Sequence, residues 1–265
     1  MTGVNHAAAL KGKRIVLTKS EQEQDEIGAA LAEAGAEVLS MPLIQVEPVV
    51  DAQQSLEILK GLATYEWIVF TSVNGVKYFF ETFFKAFKDI RSFGGARIAC
   101  VGHRTAAEVQ ALHLEVDLIP EQATGVALAK ELVETGSLPS AYVLWVCGDK
   151  VNKEALSMLE GKGEAILDVF EVYKSSLRDL KHDEVAASFR KHGAHGMLFA
   201  SPSAAESFAD QAAKLLRGTK AIIPKTVSIG PTTTEAMKRL RIPMDREAAS
   251  PAAIDVVAAF KALLS

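Results

Sequence analysis

The sequence contains few of the features that build disulfide, metal or membrane proteins. Its two cysteines, Cys100 and Cys147, each lie inside an apolar run and show no C-x-x-C spacing. This pattern argues against a disulfide framework and against a cysteine metal site, and it is typical of small core residues. No apolar run reaches 18 residues, which argues against a membrane-spanning helix.

Charge of one sign is not in large excess either. The 29 basic and 33 acidic side chains give a net charge of −4, and no block of basic residues occurs. A nucleic-acid partner is therefore not expected from the charge of the chain. The first 14 residues lack the apolar core of a secretory signal peptide. We expect a cytoplasmic protein that binds neither nucleic acid nor a membrane.

The common catalytic motifs are absent as well. The chain has no G-x-G-x-x-G after a strand, no G-x-x-x-x-G-K-[ST], no H-E-x-x-H and no G-x-S-x-G. Dinucleotide sites, Walker-type nucleotide sites, zinc proteases and serine hydrolases with a nucleophile elbow are therefore unsupported. The one close pair of histidines, His192 and His195, lies in the run KHGAHG before an expected strand. We predict that this pair belongs to a solvated connection rather than to a metal site.

Short apolar runs rich in Val and Ile alternate with helical patterns along the chain. The predicted strands cover 14–18, 37–49, 67–72, 97–102, 116–120, 141–148, 165–173, 195–201 and 226–230. Near-continuous apolar strands separated by helices are typical of parallel sheets that are covered on both faces. At about 150 residues per domain, the length of the chain predicts two domains. We therefore predict an α/β protein with parallel sheets.

The sequence also repeats itself at a nearly constant spacing. Four residue pairs lie 128, 129, 128 and 126 positions apart, in this order: Gly35 and Gly163, Ser72 and Ser201, Gly102 and Gly230, Thr124 and Ser250. A shared offset of this kind predicts an internal duplication of one α/β unit. The alternative is a generic similarity between strand–helix units.

Polar turns after the predicted strands are the candidate ligand-binding elements. Ligands of open α/β sheets bind outside the carboxyl ends of the strands, and the N–H groups at helix N-termini attract anions. Four matched turns carry Ser, Thr and Gly, at 71–75, 102–105, 201–204 and 230–233. The alternative is simple helix capping, for which Ser and Thr are favoured. Because four turns share this chemistry, we predict a surface that binds an anionic ligand through amides and hydroxyls.

Six short runs, taken in their order and spacing, resemble the uroporphyrinogen-III synthase family: TSVNGV, VGHRTA, PEQATG, FEVYKS, FASPSA and IGPTTTEA. The resemblance extends from Lys13 to the end of the chain. It implies two similar, flavodoxin-like α/β domains with parallel sheets, joined by a two-stranded linker. Domain 1 would comprise 1–40 and 176–265, domain 2 would comprise 48–167, and the linker strands would be 41–47 and 168–175.

The resemblance also implies a reaction. Members of the family cyclise hydroxymethylbilane, a linear tetrapyrrole with eight carboxylates, to uroporphyrinogen III in haem biosynthesis. The reaction loses water and inverts ring D, which makes the enzyme a hydro-lyase, and the family uses no metal or organic cofactor. The expected partner is this substrate alone, apart from a transient contact with the enzyme that makes hydroxymethylbilane. The protein itself is expected to be a monomer.

Functional residues follow from the resemblance at the matching positions. The catalytic candidate is Tyr173 in FEVYKS, because a phenol with a pKa near 10 can donate a proton at neutral pH. The alternative is a tyrosine that packs the hinge. The substrate-binding candidates are Thr18, Lys19, Thr71, Ser72, Asn74, Gly102, Thr105, Ser201, Ser203, Gly230, Thr232 and Thr233. Many family members carry Arg in place of Lys19; Lys keeps the charge but lacks the fork that binds a carboxylate at two points.

Two other functions stay open on the sequence alone. One is a non-enzymatic two-domain module that binds a small anion, and the other is a transferase that uses a nucleotide-activated donor. The transferase would need a Gly-rich phosphate loop, which the chain lacks. The set of turns together with Tyr173 favours the enzyme.

Overall fold

The computed structural model describes residues 9–18, 25–49, 51–215 and 218–264. The chain divides into two compact units. We call Met1–Gln45 with Ser176–Ser265 unit 1, and Val46–Ser175 unit 2. Each unit contains one five-stranded sheet.

Strands and helices alternate along most of the described chain. The strands of the described residues are β1 (Arg14–Leu17), β2 (Glu37–Ser40), β3 (Ile44–Pro48), β4 (Trp67–Phe70), β5 (Arg97–Cys100), β6 (Tyr142–Gly148), β7 (Ile166–Leu177), β8 (Gly196–Phe199), β9 (Lys225–Ser228) and β10 (Arg246–Glu247). The α-helices of the same residues are α1 (Asp25–Glu33), α2 (Ala52–Lys60), α3 (Val73–Ala86), α4 (His103–Gln110), α5 (Gly125–Glu134), α6 (Lys153–Gly161), α7 (Glu184–His192), α8 (Pro202–Gln211), α9 (Pro231–Arg239) and α10 (Ala253–Leu264).

The sheet of unit 1 has the strand order β10-β9-β8-β1-β2, and its neighbouring strands are parallel. Alternate residues of β1 pack into two separate apolar cores. Ile15 and Leu17 belong to one core and Val16 to the other. Because successive side chains of a strand point to opposite faces, the sheet is covered on both sides.

The sheet of unit 2 has the order β3-β7-β6-β4-β5, in which β7, β6, β4 and β5 are parallel. The edge strand β3 runs the other way. The N–H of Val49 donates to the carbonyl of Val172, and Glu47 pairs with Lys174 at 3.4 Å. One residue number rises as the other falls, so β3 is antiparallel to β7.

The α/β class with parallel sheets is confirmed, but the predicted strands differ in detail. The predicted strand 37–49 is interrupted at Pro42, which has no N–H to donate to a neighbouring strand. The predicted strand 116–120 is reduced to one bridge between Leu118 and Ala99. The short strand β10 was not predicted, because two exposed polar residues carry no apolar pattern.

The two sheets have corresponding strand orders. When the repeats are aligned, β10-β9-β8-β1-β2 of unit 1 corresponds to the Leu118 bridge, β5, β4, β6 and β7 of unit 2. His113 and Arg241, which lie 128 positions apart, both have positive φ values, of 61° and 56°. These matches support the internal duplication, which remains a prediction.

One predicted residue pair of the repeat shifts by a position. Gly35 has a φ of 93° two residues before β2, and the residue with positive φ two residues before β7 is Glu164. Gly163 instead lies against the backbone of α6, since a Cβ there would be 2.4 Å from the carbonyl oxygen of Leu159. The backbone counterpart of Gly35 is therefore Glu164.

Both cysteines are free thiols in the core. Burial raises the pKa of the Cys100 thiol and of the Cys147 thiol to about 12. Thiols with such pKa values are not nucleophiles at neutral pH. His195 lies in the connection before β8, as predicted, but it is half-buried and its Nδ1 accepts the N–H of Arg14 at 3.0 Å. His192 is instead the last residue of α7.

No helix among the described residues is long and apolar enough to cross a membrane. The cytoplasmic location and the monomeric state remain predictions. The same holds for the domain bounds and for the two predicted linker strands.

Candidate functional site

Several predicted site residues lie at one edge of the sheet in unit 2. Thr71 and Ser72 follow β4, Gly102 follows β5 closely, and Gly148 is the last residue of β6. These strands are parallel neighbours, and adjacent strands lie about 4.8 Å apart. Their carboxyl ends therefore bring the three turns together.

A β-bulge between β6 and β7 sets the direction of Tyr173. Residues pair regularly up to Cys147 and Glu171, but Gly148 then pairs with Tyr173 instead of Val172. Phe170, Val172 and Tyr173 all pack on the same apolar core, which also contains residues of α3. Without the bulge, Tyr173 would point to the opposite face from Val172. The bulge therefore turns Tyr173 toward α3.

The Tyr173 side chain is held on several sides. Its hydroxyl lies 3.0 Å from Oγ of Ser72, and its ring centroid lies 6.1 Å from that of Tyr78. A Cβ on Gly148 would be 2.5 Å from the ring. The Tyr173 carbonyl also accepts the N–H of Asp149 at 3.0 Å. The ring thus lies in a fixed position at the carboxyl edge of the sheet.

The surroundings keep Tyr173 protonated. Burial raises its pKa above the ordinary value of 10.0, the hydrogen bond with Ser72 acts in the opposite direction, and the nearby Cys147 and Asp149 raise it further. At neutral pH the group is therefore a phenol. In chemical terms it can donate a proton, and it cannot act as a base until it has done so.

Ser72 and Ser201 cap their helices in the same way. The Oγ of Ser72 accepts the N–H of Gly75 at 2.9 Å, and the Oγ of Ser201 accepts the N–H of Ala204 at 3.1 Å. Both caps have extended backbones. Ser72 and Ser201 therefore do cap their helices, and the capping bond occupies one lone pair of each hydroxyl.

Thr18 and Thr71 donate their hydroxyl protons to neighbouring strands. Thr18 donates to the carbonyl of Leu198 at 2.7 Å, and Thr71 donates to the carbonyl of Val146 at 3.0 Å. A hydroxyl has one proton. While these bonds are made, neither hydroxyl can also donate to a substrate carboxylate.

The turns at Gly102 and Gly230 offer backbone donors instead of hydroxyls. Each glycine is the N-cap of its helix, α4 or α9, and no side chain caps either helix. Thr105 and Thr233 are the third residues of these helices, and their side chains are only 4% and 1% exposed. The donors that these turns present are the N–H groups of the first helical turn.

The remaining predicted residues occupy the second position of their helices. Ser203 and Thr232 are exposed, and Asn74 is half-buried. Lys19 lies outside the described residues. Among the described residues, no group of three or more His, Cys, Asp or Glu side chains could hold a metal ion.

Sequence reasoning missed Gly148, Asp149 and Tyr78, which surround Tyr173. The pair Gly148-Asp149 ends an apolar run, which would have marked it as a turn.

A groove over α5 contains none of the predicted residues. It is lined by Glu121, Glu131 and other residues that include only one cation, so it does not suit a polycarboxylate.

Comparison with known proteins gives a consistent result. A family model described as Uroporphyrinogen-III synthase HemD matches residues 25–258. The porphyrin biosynthesis protein HemD of Ruminiclostridium josui is 29% identical over 125 residues, which are 47% of this chain and 25% of that protein. The uroporphyrinogen-III synthase of Synechococcus elongatus is 24% identical over 205 residues, which are 75% of this chain and 74% of that protein. The match therefore covers only a quarter of the first relative.

Solved structures show the same fold. A mutant uroporphyrinogen III synthase from the extremely thermophilic bacterium Thermus thermophilus has a TM-score of 0.65 and 16% identity, over 95% of this chain and 98% of that one. The uroporphyrinogen-III synthetase of Helicobacter pylori 26695 has a TM-score of 0.59 and 16% identity, over 93% and 98%.

Proposed function

We propose that this chain, which belongs to the uroporphyrinogen-III synthase family, cyclises hydroxymethylbilane to uroporphyrinogen III with loss of water and inversion of ring D. The observation that carries the proposal is the family match over residues 25–258. That range includes every predicted site residue except Thr18 and Lys19.

Tyr173 is the proposed acid. Its phenol gives a proton to the departing hydroxyl of the substrate, the carbon–oxygen bond breaks, and its electron pair leaves with the oxygen as water. The lone pair of the adjacent pyrrole nitrogen is delocalised onto the carbon that has lost its oxygen. This step leaves an azafulvenium cation and a tyrosinate. Burial raises the pKa of Tyr173, so the phenol carries its proton at neutral pH and has it available for the leaving group.

The protein's other task is to choose the attacking carbon. Attack by the substituted carbon of ring D gives a spiro intermediate, which fragments and closes again with the ring inverted. The closed ring system then loses a proton, and returning it to the tyrosinate restores Tyr173. Holding the chain of pyrroles in one conformation is a proximity and orientation effect.

The substrate carboxylates need hydrogen-bond donors. We assign this role to the uncapped N–H groups of α4 and α9 and to the side chains of Asn74, Ser203 and Thr232, since these are not committed to capping a helix. Helix N-termini favour anions by about 0.3–1 kcal/mol each at exposed sites. Thr18 and Thr71 hold their turns to the neighbouring strands instead.

Product analysis with freshly made hydroxymethylbilane tests the proposal. Without an enzyme, this compound closes to the type I isomer, with no inversion. We expect the protein to divert the product to the type III isomer. If folded protein yields only type I, the proposed function is wrong and the anion-binding module becomes the better candidate.

A further inference from the structure

Ser72 makes a contact that helix capping does not require. Its Oγ accepts the N–H of Gly75 at 2.9 Å, as an N-cap does, and it also lies 3.0 Å from the hydroxyl of Tyr173. The matching cap in unit 1, Ser201, bonds the N–H of Ala204. Ser72 therefore has a second hydrogen-bond partner, Tyr173, in addition to the N–H that it caps.

Counting donors and acceptors shows that Ser72 has a proton available to donate in this bond. A serine hydroxyl has one proton and two lone pairs, and a tyrosine hydroxyl has one proton as well. The Ser72 Oγ already accepts from Gly75, while its own proton remains to be placed. If Ser72 donates to Tyr173, the phenolic proton stays free to leave with a substrate hydroxyl. In the opposite direction, Tyr173 would donate its proton to Ser72 and could not donate it to the substrate at the same time.

We propose that Ser72 is a positioning residue that acts through Tyr173, rather than a residue that binds substrate carboxylates. It donates its proton to the phenolic oxygen, so the Tyr173 proton points away from the protein. After proton transfer, the same bond stabilises the tyrosinate. The inference rests on the proposed function, because it takes Tyr173 as the acid.

The packing around Tyr173 fixes its ring, whereas the direction of its hydroxyl proton depends on the bond with Ser72. The bulge in β7 turns the ring toward α3, and Gly148 lies against the ring on one side. Tyr78 lies near the ring at 6.1 Å between centroids. These contacts fix the ring, but they do not fix the rotation of its hydroxyl. The bond between the Ser72 and Tyr173 hydroxyls, at 3.0 Å, is the contact that can fix this rotation.

The first test measures the Tyr173 hydroxyl without turnover. The protein contains four tyrosines, and their replacement by 3-fluorotyrosine brings phenol titration into a milder pH range that ¹⁹F NMR can follow. The Tyr173 signal is the one that Y173F removes. In S72A we expect its titration to move upward by about one pH unit, because a hydrogen bond to the charged form is lost. S72T, which keeps the hydroxyl, should restore the wild-type value.

Thr124→Ala is the matched control. Thr124 caps α5 in unit 2 with its hydroxyl, which accepts the N–H of Ala127 at 3.1 Å. This variant loses a cap of the same kind, worth about 1 kcal/mol, and should leave the Tyr173 titration unchanged. An unchanged titration in folded S72A, or an equal shift in T124A, would overturn the inference.

The second test separates positioning from binding. In S72A we expect kcat to fall by about tenfold with KM little changed, and S72T to recover most of the rate. A raised KM with unchanged kcat would show that Ser72 binds substrate, and the inference would be wrong. The wild-type product decides the proposed function separately, since absence of the type III isomer there refutes the reaction whatever the ¹⁹F titration shows.

Discussion

Gly148 and Tyr173 pair across β6 and β7 so closely that a Cβ on Gly148 would lie 2.5 Å from Cε2 and Cζ of the tyrosine ring. Unbonded atoms do not approach so closely in folded proteins, so any larger residue at 148 must displace its neighbour. The atoms in the way are the far end of a side chain rather than backbone. Displacement would therefore move the ring of the proposed acid and leave the sheet largely as it is.

We predict that Gly148→Ala lowers the rate of type III product formation by tenfold or more. The ring has to move, and small displacements of a catalytic group are costly for the rate. The loss of stability should stay within about 1–3 kcal/mol, the usual cost of overpacking. Initial rates and urea unfolding of the same preparation measure the two effects.

Gly161→Ala is the control for that variant. Gly161 is the last residue of α6, and a Cβ there would meet nothing within 4 Å. Alanine is a better helix former than glycine by about 1 kcal/mol, so the variant should be as stable as the wild type or slightly more stable, with full activity. A wild-type rate in Gly148→Ala would show that the ring position does not limit turnover.

Tyr173→Phe removes the proposed proton donor and keeps the ring. We expect turnover to fall by about 10²–10⁴-fold, the usual contribution of a general acid. Stability should change by only about 0.5–1.5 kcal/mol, for one lost hydrogen bond. The measurement is the rate of type III formation beside thermal unfolding. A variant that turns over at the wild-type rate would favour the alternative in which Tyr173 only packs the strand.

The sequence was sufficient for the α/β class, but not for the direction of the key side chain. Apolar runs show where strands lie because burial on both faces needs them. The bulge at Val172 was not visible, since Val172 and Tyr173 both suit a buried strand and strict alternation would separate them. The hydroxyls of Thr18 and Thr71 show the same limit. Whether a threonine after a strand faces a ligand or a neighbouring carbonyl depends on tertiary contacts.

A pair of matched aspartates offers a test of stability that does not depend on function. The N–H of Ile98 donates to Asp117 at 2.8 Å, and the N–H of Thr226 donates to Asp245 at 2.8 Å. Thr226 lies 128 positions after Ile98, and Asp245 lies 128 positions after Asp117. Ile98 and Thr226 are only 3% and 6% exposed, so water can hardly replace either carboxylate.

We predict that Asp117→Ala and Asp245→Ala each lower the free energy of unfolding by about 1–3 kcal/mol, because each leaves a buried N–H without an acceptor. The Asn variants keep an acceptor oxygen and should lose clearly less. Urea unfolding of the four variants makes the comparison. Equal losses in the Ala and Asn variants would show that the charge, and not the hydrogen bond, stabilises these turns.

His195 should make the stability of unit 1 depend on pH. Its Nδ1 accepts the N–H of Arg14, and its pKa is lowered from 6.5, by burial first and then by the charges of Lys13 and Arg14, with Glu37 opposing. A lowered histidine pKa means that the folded protein resists a proton that the unfolded chain accepts. The stabilisation is therefore complete above about pH 6.5 and is lost as the pH falls from there toward the folded-state pKa.

Asn at 195 offers an acceptor that does not titrate. Urea unfolding at about pH 7.5 and about pH 5.5 should therefore show a smaller loss of unfolding free energy in His195→Asn than in the wild type. His182→Asn, at an exposed turn, should keep the wild-type loss, and an undiminished loss in His195→Asn would assign the pH dependence to other groups.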